Sequence, residues 1–389
     1  MQSPFCELAI KNALAHGNAL LKFISPNDVG LTGGHQYGFY LPKTIHPTFT
    51  RNPPTKGVVT KQDIRILWQD DYQTDSVITW YGDKTRSEYR LTRFGRGFPY
   101  LSHDMVGDLL VLIRVGESDF LAYILDLDED IEEIQSTLGV EVTESLVMFP
   151  TREFEEIDTE DDCIDRYFRT FAKTLKDFPQ GDVFSAQTRE VLHSCLKNFD
   201  QLSFDVSLLK SMDAEYQLFR IVERQLCQND IMRIFKNVDD FLNTALSILN
   251  RRKSRAGRSL ENHVEQVLRD AQIPHQMRPR SIDGKPDIVI PNEEAYNDPQ
   301  YPLDRLFIIG VKTTCKDRWR QVLNEGKRVP TKHILTIQPG ISSNQLKEMH
   351  EAKVRLVVPQ KLHREYPPKH NIELLTVNQF VNEIKSHLN

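Results

Sequence analysis

Apolar and polar positions change their rhythm once along the chain. Through the first 150 residues, short runs rich in β-branched and aromatic residues stand between turn signals: Val58–Trp68, Asp75–Trp80, Asp108–Val115 and Phe120–Leu127. That pattern predicts strands. Thr32–His35 and Gly95–Gly97 have loop chemistry, and a short helix is expected near Glu7–Phe23. Residues 1–150 therefore read as one mainly-β domain, a strongly bent sheet or barrel. Residues 151–177 are acidic and lack a strong apolar period until their end, which predicts a linker with a short helix. Phe178–Gly181 marks the entry to a second domain, 178–389. Here helical periodicity takes over at Ala214–Gln228 and Val238–Leu249. Ser259 is placed to cap a further helix with Leu260, Val264, Val267, Leu268 and Ala271 on one face. Short apolar runs follow at Asp287–Ile290, Leu306–Val311, His333–Ile337, Val354–Val358 and Ile372–Thr376. Buried strands alternating with helices predict an α/β domain around a mixed sheet.

Length and composition fit this multidomain reading. The 389 residues, 39% hydrophobic and 27% charged, are those of a globular protein with more than one core. No apolar run approaches the ~18 residues of a membrane span, and the N-terminus lacks a basic region followed by an apolar core, so a cytoplasmic location is expected. The five cysteines are odd in number and show no C-x-x-C spacing, which argues against a zinc site or a disulfide framework. Net charge of −6 argues weakly against nucleic-acid binding, but the charge is segregated. Eight acids fall between Glu153 and Asp165, whereas Lys84–Arg96 carries five bases against Glu88, and Arg251–Arg258 carries five bases and no acid. Two basic runs in a chain acidic elsewhere point to phosphate contacts.

The candidate chemistry lies between Lys285 and Glu325. Gly284 and Pro286 turn the chain into an apolar strand with Asp287 at its mouth, and Lys312 ends a second apolar run. An Asp, a second acid and a Lys on adjacent strands suit Mg²⁺-dependent phosphodiester hydrolysis: the acids bind a hard cation through oxygen, the cation offsets charge on the phosphate, and the lysine orients water or balances charge at phosphorus. The second acid usually stands two residues before the lysine, but that position is Gly310. Glu325, at the end of an expected pair of helical turns over Arg318–Glu325 closed by Gly326, is the replacement. Glu261, with Glu265 one turn further on, is a candidate for the outer shell. Lys312, Lys316, Arg318 and Arg320 gather four cations in nine residues around Asp317 and Trp319. Lys and Arg can donate to guanine and Asp can accept from cytosine, so this segment is suited to reading G·C pairs.

These residues also carry a family resemblance. Asn250–Glu261, Lys285–Asp287, Val311–Gln321, Leu323–Glu325 and Val354–Pro359 resemble the EcoRII-type restriction endonucleases that recognise CC…GG sites. Asn27–Gln36 and Lys84–Gly97 extend the likeness to the first half. The resemblance implies a type IIE endonuclease with a PD-(D/E)xK nuclease domain, acting on double-stranded DNA with Mg²⁺. Two or more copies of its site would be bound, the C-terminal domain would form a homodimer, and a cognate methyltransferase would accompany it. It implies Asp287, Lys312 and Glu325 as the catalytic set with Glu261 in support, Asp287 and Glu325 as metal ligands, and Lys316, Asp317 and Arg318 as readers of the outer pairs. The N-terminal domain would be an effector DNA-binding pseudobarrel contacting DNA through His35, Tyr40, Lys84, Arg86, Glu88 and Arg90, and able to autoinhibit the nuclease. In such enzymes an arginine and a tyrosine form the pockets for the flipped central base pair. The tyrosine falls on Tyr296, whereas Met212 and Asp213 stand at the arginine's place. Arg220 is a possible substitute; otherwise the central pair is read differently. Two other readings compete: a DNA-binding regulator with a silent nuclease half, which a broken Asp-Lys-Glu set would mark, and a shape-specific repair nuclease of the same fold, which would need neither the Lys-Asp-Arg triplet nor a second DNA-binding domain.

Overall fold

The computed structural model describes residues 3–33, 37–83, 87–142, 146–150, 159–368 and 373–388, excluding the side chains of 159–162. It divides into two compact units. One comprises residues 1–153 with 338–348 and 362–372, the other 154–337 with 349–361 and 373–389.

The first unit opens with α1 (Pro4–His16), capped by Ser3, whose hydroxyl accepts from the Phe5 N–H. Gly17 ends this helix in the left-handed conformation (φ 64°), earlier than the apolar pattern suggested. The remaining apolar residues form β1 (Ala19–Phe23), buried throughout. Then come β2 (Phe39–Leu41), β3 (Val59–Trp68), β4 (Gln73–Tyr81), β5 (Glu88–Thr92), β6 (Leu109–Arg114), β7 (Asp119–Leu125), α2 (Asp128–Leu138) and β8 (Leu146–Phe149). The eight strands form one sheet in the order β2-β5-β4-β3-β7-β6-β1-β8. Its described pairs are antiparallel except β3–β7.

Both faces of this sheet are covered, which explains why β6 is apolar at every second position on each side. Leu110 and Leu112 enter one core with Phe39, Trp68, Phe94 and Tyr100. Leu109, Val111 and Ile113 enter the other with residues of α1 and α2. A buried ion pair fixes the turn after β1. Lys22 Nζ lies 2.6 Å from Asp28 Oδ2, which also accepts from the Ser25 N–H, while Asp28 Oδ1 accepts from the Tyr40 N–H. A buried pair is stable only when its remaining lone pairs are satisfied, and here the backbone does so. The two segments from the C-terminal half belong to this unit through similar polar contacts. Gln338 Nε2 donates to the Gly107 carbonyl (3.1 Å) and Asn344 Nδ2 to Asp104 Oδ1 (2.6 Å).

The second unit begins with four helices: α3 (Thr159–Thr174), α4 (Gly181–Cys195), α5 (Phe204–Met232) and α6 (Val238–Asp270). Ile164, Phe168 and Ala172 of α3 share a core with Phe184, Val191 and Leu192 of α4 and Leu218, Phe219 and Val222 of α5. The acidic stretch therefore ends in a packed helix. Cys163 is disulfide-bonded to Cys195, tying α3 to α4, against the expectation drawn from cysteine spacing. Spacing in sequence carries no information about a pair brought together by helix packing. Helix α6 is continuous, so Ser259 is not a cap. It lies buried in mid-helix with its hydroxyl against Met212 Sδ (3.4 Å). The Arg, Lys and Ala residues before it favour helix, and Gly257 alone does not break it.

The sheet of this unit has the order β13-β12-β11-β10-β9, built from β9 (Gln276–Met277), β10 (Ile288–Ile290), β11 (Phe307–Lys312), β12 (Lys332–Thr336) and β13 (Val354–Val357). The β11–β12 and β12–β13 pairs are parallel, whereas β10 runs antiparallel to both β11 and β9. The mixed α/β sheet is as the sequence predicted. The expected last strand reduces to a single bridge, Leu375 to Val357, and Ile372 lies outside the described residues. Among the described residues no helix is long and apolar enough to cross a membrane.

Candidate active site

Antiparallel pairing sets the first two site residues side by side. Ile288 faces Ile309, so Asp287, just ahead of β10, reaches the end of β11. Its Oδ2 accepts from the Val311 N–H (2.7 Å) and from Lys312 Nζ (2.8 Å). Both side chains are about four-fifths buried. Two donors on one oxygen fix the carboxylate in orientation.

The missing acid at 310 has a steric cause. A Cβ on Gly310 would lie 2.9 Å from Val322 Cγ2. Val322 belongs to the turn that replaces the expected helical segment, a 3-10 stretch over Arg318–Asn324, and is fully buried. With no side chain at 310, this turn lies down on β11 and ends at Glu325. Two other glycines complete the approach. Gly284 (φ 73°) presses its backbone on the next segment, where a Cβ would be 2.4 Å from the Asn324 carbonyl and 2.7 Å from Glu325 Cα. Gly326 (φ 52°) sits against Ile308, where a Cβ would come within 2.6 Å. The turn that leads into Asp287 and the turn that carries Glu325 are thus in backbone contact.

Glu325 is 7% exposed, and its Oε2 has no hydrogen-bond partner among the described residues. Burial pushes its carboxyl up to about 7; the Lys312 and Lys332 charges oppose that shift and the Asp287 charge adds to it. A buried carboxylate oxygen without a donor is costly unless something outside the chain meets it. With Asp287 it offers two hard oxygen ligands, the donor type a Mg²⁺-like cation takes. Among the described residues no group of three or more metal-ligating side chains closes a site. Two carboxylates with open positions suit a small divalent ion whose shell is completed by water and phosphate. Glu261, on α6, is salt-bridged to Arg278, and burial holds its carboxyl above the usual range. Glu265 is paired with Arg269.

The triplet expected to read bases follows β11 directly. Lys316 is 4% exposed, and burial lowers its ammonium to about 8. Asp317 is exposed at the start of the 3-10 turn and Arg318 is half-buried. Tyr296 lies in the core beneath the sheet with Ile282, Val289 and Ile308. Its hydroxyl donates to Asp283 Oδ1 (2.8 Å) and accepts from the Arg328 N–H. Met212 is fully buried, and Arg220 is engaged with Glu223 at 2.5 Å. In the first unit, Tyr40 on β2 faces Arg90 on β5 in register. Arg90 is 3% exposed, with Nε on Glu88 and Nη1 on the Gly38 carbonyl. His35, Lys84 and Arg86 lie outside the described residues. Asp283 and Lys332, which flank the Glu325 turn, were not singled out in the sequence. Neither stands in a recognisable motif, and only the fold brings them there.

Comparison with known proteins assigns the class. Residues 15–153 match the family described as restriction endonuclease EcoRII, N-terminal, and residues 219–381 match EcoRII C terminal. The type II restriction enzyme EcoRII of Escherichia coli is 30% identical over 401 aligned positions, covering 97% of this chain and 95% of that protein. The type II restriction enzyme SsoII of Shigella sonnei is 23% identical over 226, covering 54% of this chain and 72% of that one. Among solved structures, metal-depleted Ecl18kI in complex with uncleaved, modified DNA aligns with a TM-score of 0.45 at 19% identity, over 57% of this chain and 84% of that one. The PspGI–substrate DNA complex aligns with a TM-score of 0.43 at 15% identity, over 55% and 94%. The two-domain fold and the site thus define a type II restriction endonuclease, a site-specific deoxyribonuclease. The chain belongs to the EcoRII family.

Two predictions follow from this geometry. Gly310→Ala should displace the 3-10 turn and lower cleavage by about one to two orders of magnitude, and adding Val322→Ala, which removes the colliding methyl groups, should recover most of the loss. Turnover measured for the three proteins checks this. The second concerns pH. Because the folded-state pKa of Glu325 is raised, its contribution to stability is fully present below the ordinary carboxyl value and is lost as pH rises through about 7. Metal-free protein should therefore melt lower at pH 8 than at pH 5, and Glu325→Gln should flatten that trend in chelator-containing thermal scans.

Proposed function

We propose that this chain hydrolyses both strands of duplex DNA at a CC…GG-type site with Mg²⁺, using Asp287, Lys312 and Glu325. The observation that carries the reading is the buried, donor-free Glu325 carboxylate oxygen in backbone contact with the turn of Asp287, itself hydrogen-bonded to Lys312. Asp287 and Glu325 would hold the divalent ion, which when bound stabilises charge on the phosphate and acidifies its water. Asp287 keeps Lys312 directed at the same point. There the lysine ammonium can orient the attacking water and offset charge developing at phosphorus. Glu261 supports the site from α6. Lys316, Asp317 and Arg318 read the outer pairs from the segment just beyond Lys312. Tyr296 would line the pocket for the central pair, and with Met212 at the arginine's place that pair is read without the arginine that the resemblance implies.

Membership of the EcoRII restriction-enzyme family supports DNA as the partner. In the N-terminal unit, Tyr40, Glu88 and Arg90 on adjacent strands, with His35, Lys84 and Arg86, would form the effector surface. Regulation of the nuclease by this unit is consistent with the two C-terminal-half segments that fold into it. A cognate methyltransferase would protect the host sites.

One Asp-Lys-Glu set per chain and two strands to cut call for two chains. The end of the α5–α6 hairpin supplies a surface. Ile231, Met232, Ile234, Val238, Phe241, Leu242 and Leu246 are 47–94% exposed within sixteen residues. Large apolar side chains exposed in such density are what marks an interface on a folded chain. We assign it to a second copy of this chain, packed about a two-fold axis like that of the duplex.

Incubation with plasmid DNA and Mg²⁺, followed by sequencing of the product ends, should give fragments that share one site. Lys312→Ala should cut at least a thousandfold more slowly; equal cleavage by both proteins would sink the assignment. Phe241→Asp combined with Leu246→Asp should shift the protein from dimer to monomer in sedimentation and turn double-strand cutting into nicking. A variant that stays dimeric would remove the hairpin as the interface.

A further inference from the structure

A buried lysine outside the catalytic set stands behind Glu325. Lys332 opens β12 and is 3% exposed. Its Nζ donates to the Gly326 carbonyl (2.6 Å) and to that of Val329. Those two carbonyls frame a turn closed by the Val329 N–H on the Gly326 carbonyl (3.0 Å). The other side of the turn is held by Asp283, whose backbone carbonyl accepts from the Gly326 N–H (2.8 Å) and whose Oδ2 accepts from the Lys327 N–H (3.0 Å).

We propose that Lys332 is the positioning residue for the displaced metal ligand Glu325. It grips the 326–329 turn and presents a positive charge to the Glu325 carboxylate. The inference rests on the metal-site reading above and adds to it the group that makes a displaced ligand workable. A ligand that stands on a strand inherits the rigidity of the strand. Glu325 follows a 3-10 turn and precedes a left-handed glycine, so its rigidity must come from elsewhere. Lys332 is on a central strand, paired with β13 on one side and β11 on the other, and lends that rigidity to the turn. Its charge also offsets part of the cost of burying Glu325 before a cation arrives, since Glu325 Oε2 has no donor of its own. An apolar residue at 332 could fill the space but would take a donor from each of two buried carbonyls and leave Glu325 with Lys312 as its remaining counter-charge.

Mn²⁺ binding tests this without cleavage. Full-length protein is titrated with Mn²⁺ in the absence of DNA, and free Mn²⁺ is read by electron paramagnetic resonance. Lys332→Met, similar in volume and without charge or donor, should bind Mn²⁺ roughly tenfold more weakly, the scale of losing a group that supports a ligand from behind. Lys332→Arg should retain most of the affinity. DNA affinity in chelator should stay within about twofold of wild type, which a general loss of structure would not allow. Adding Lys332→Met to Glu325→Gln should cost nothing beyond Glu325→Gln alone, because the lysine acts through that carboxylate. Unchanged Mn²⁺ affinity in a folded Lys332→Met protein, or fully additive losses in the double variant, would overturn the proposal. If Lys332→Met does not fold by circular dichroism, Lys332→Gln carries the same comparison. Wild-type protein that takes up no Mn²⁺ would instead overturn the metal-site reading itself, and this proposal with it.

Discussion

The candidate site depends on the absence of a side chain at residue 310. Because Gly310 leaves the face of β11 open, Val322 can lie on the strand, and the 3-10 turn behind it can deliver Glu325 from outside the sheet. Gly284 and Gly326 extend the same principle. At each, backbone meets a neighbour at a distance that a Cβ would forbid. Three glycines thereby bring a carboxylate fifteen residues from its usual position back to Asp287 and Lys312.

A ligand moved off its strand has consequences around it. The turn that carries it must be braced, and Asp283, Tyr296, Arg328 and Lys332 all direct hydrogen bonds into residues 326–329 or the segments beside them. Burial raises the Asp283 carboxyl, but the Lys327 N–H and the Tyr296 hydroxyl outweigh it and hold the group below its ordinary value. Glu325 is in the opposite condition. It has neighbours but, among the described residues, no donor on Oε2, and its carboxyl is pushed up to about 7. The contrast separates an acid whose oxygens are met by the chain from one with an oxygen unmet among the described residues.

The same distinction runs through the charged residues of the chain. In the buried Lys22–Asp28 pair both carboxylate oxygens accept from backbone N–H groups, and the pair serves the fold of the first unit. Arg233 is committed to Asp240. Arg220 and Arg252 are both engaged with Glu223. Counting basic residues along a sequence does not separate cations left for DNA from cations already engaged.

Much was legible in the sequence. Runs of β-branched and aromatic residues located β3, β4, β6 and β7, and the apolar runs located β10 to β13, because strand propensity and burial are written locally. Asp287, Lys312 and the displaced Glu325 could be named from their order along the chain. Other features were decided only in three dimensions. Helix α1 stops at Gly17, and α6 runs through Ser259, because a cap residue is one only if the chain turns there. The Cys163–Cys195 disulfide joins helices whose packing no spacing rule encodes. The brace at Asp283 and Lys332, and the reason residue 310 is glycine, depend on which backbone lies across which strand. Side-chain chemistry and periodicity are local properties that a sequence carries openly. Close approach between segments distant along the chain is set by the packing of the whole unit, and the structure alone reveals it.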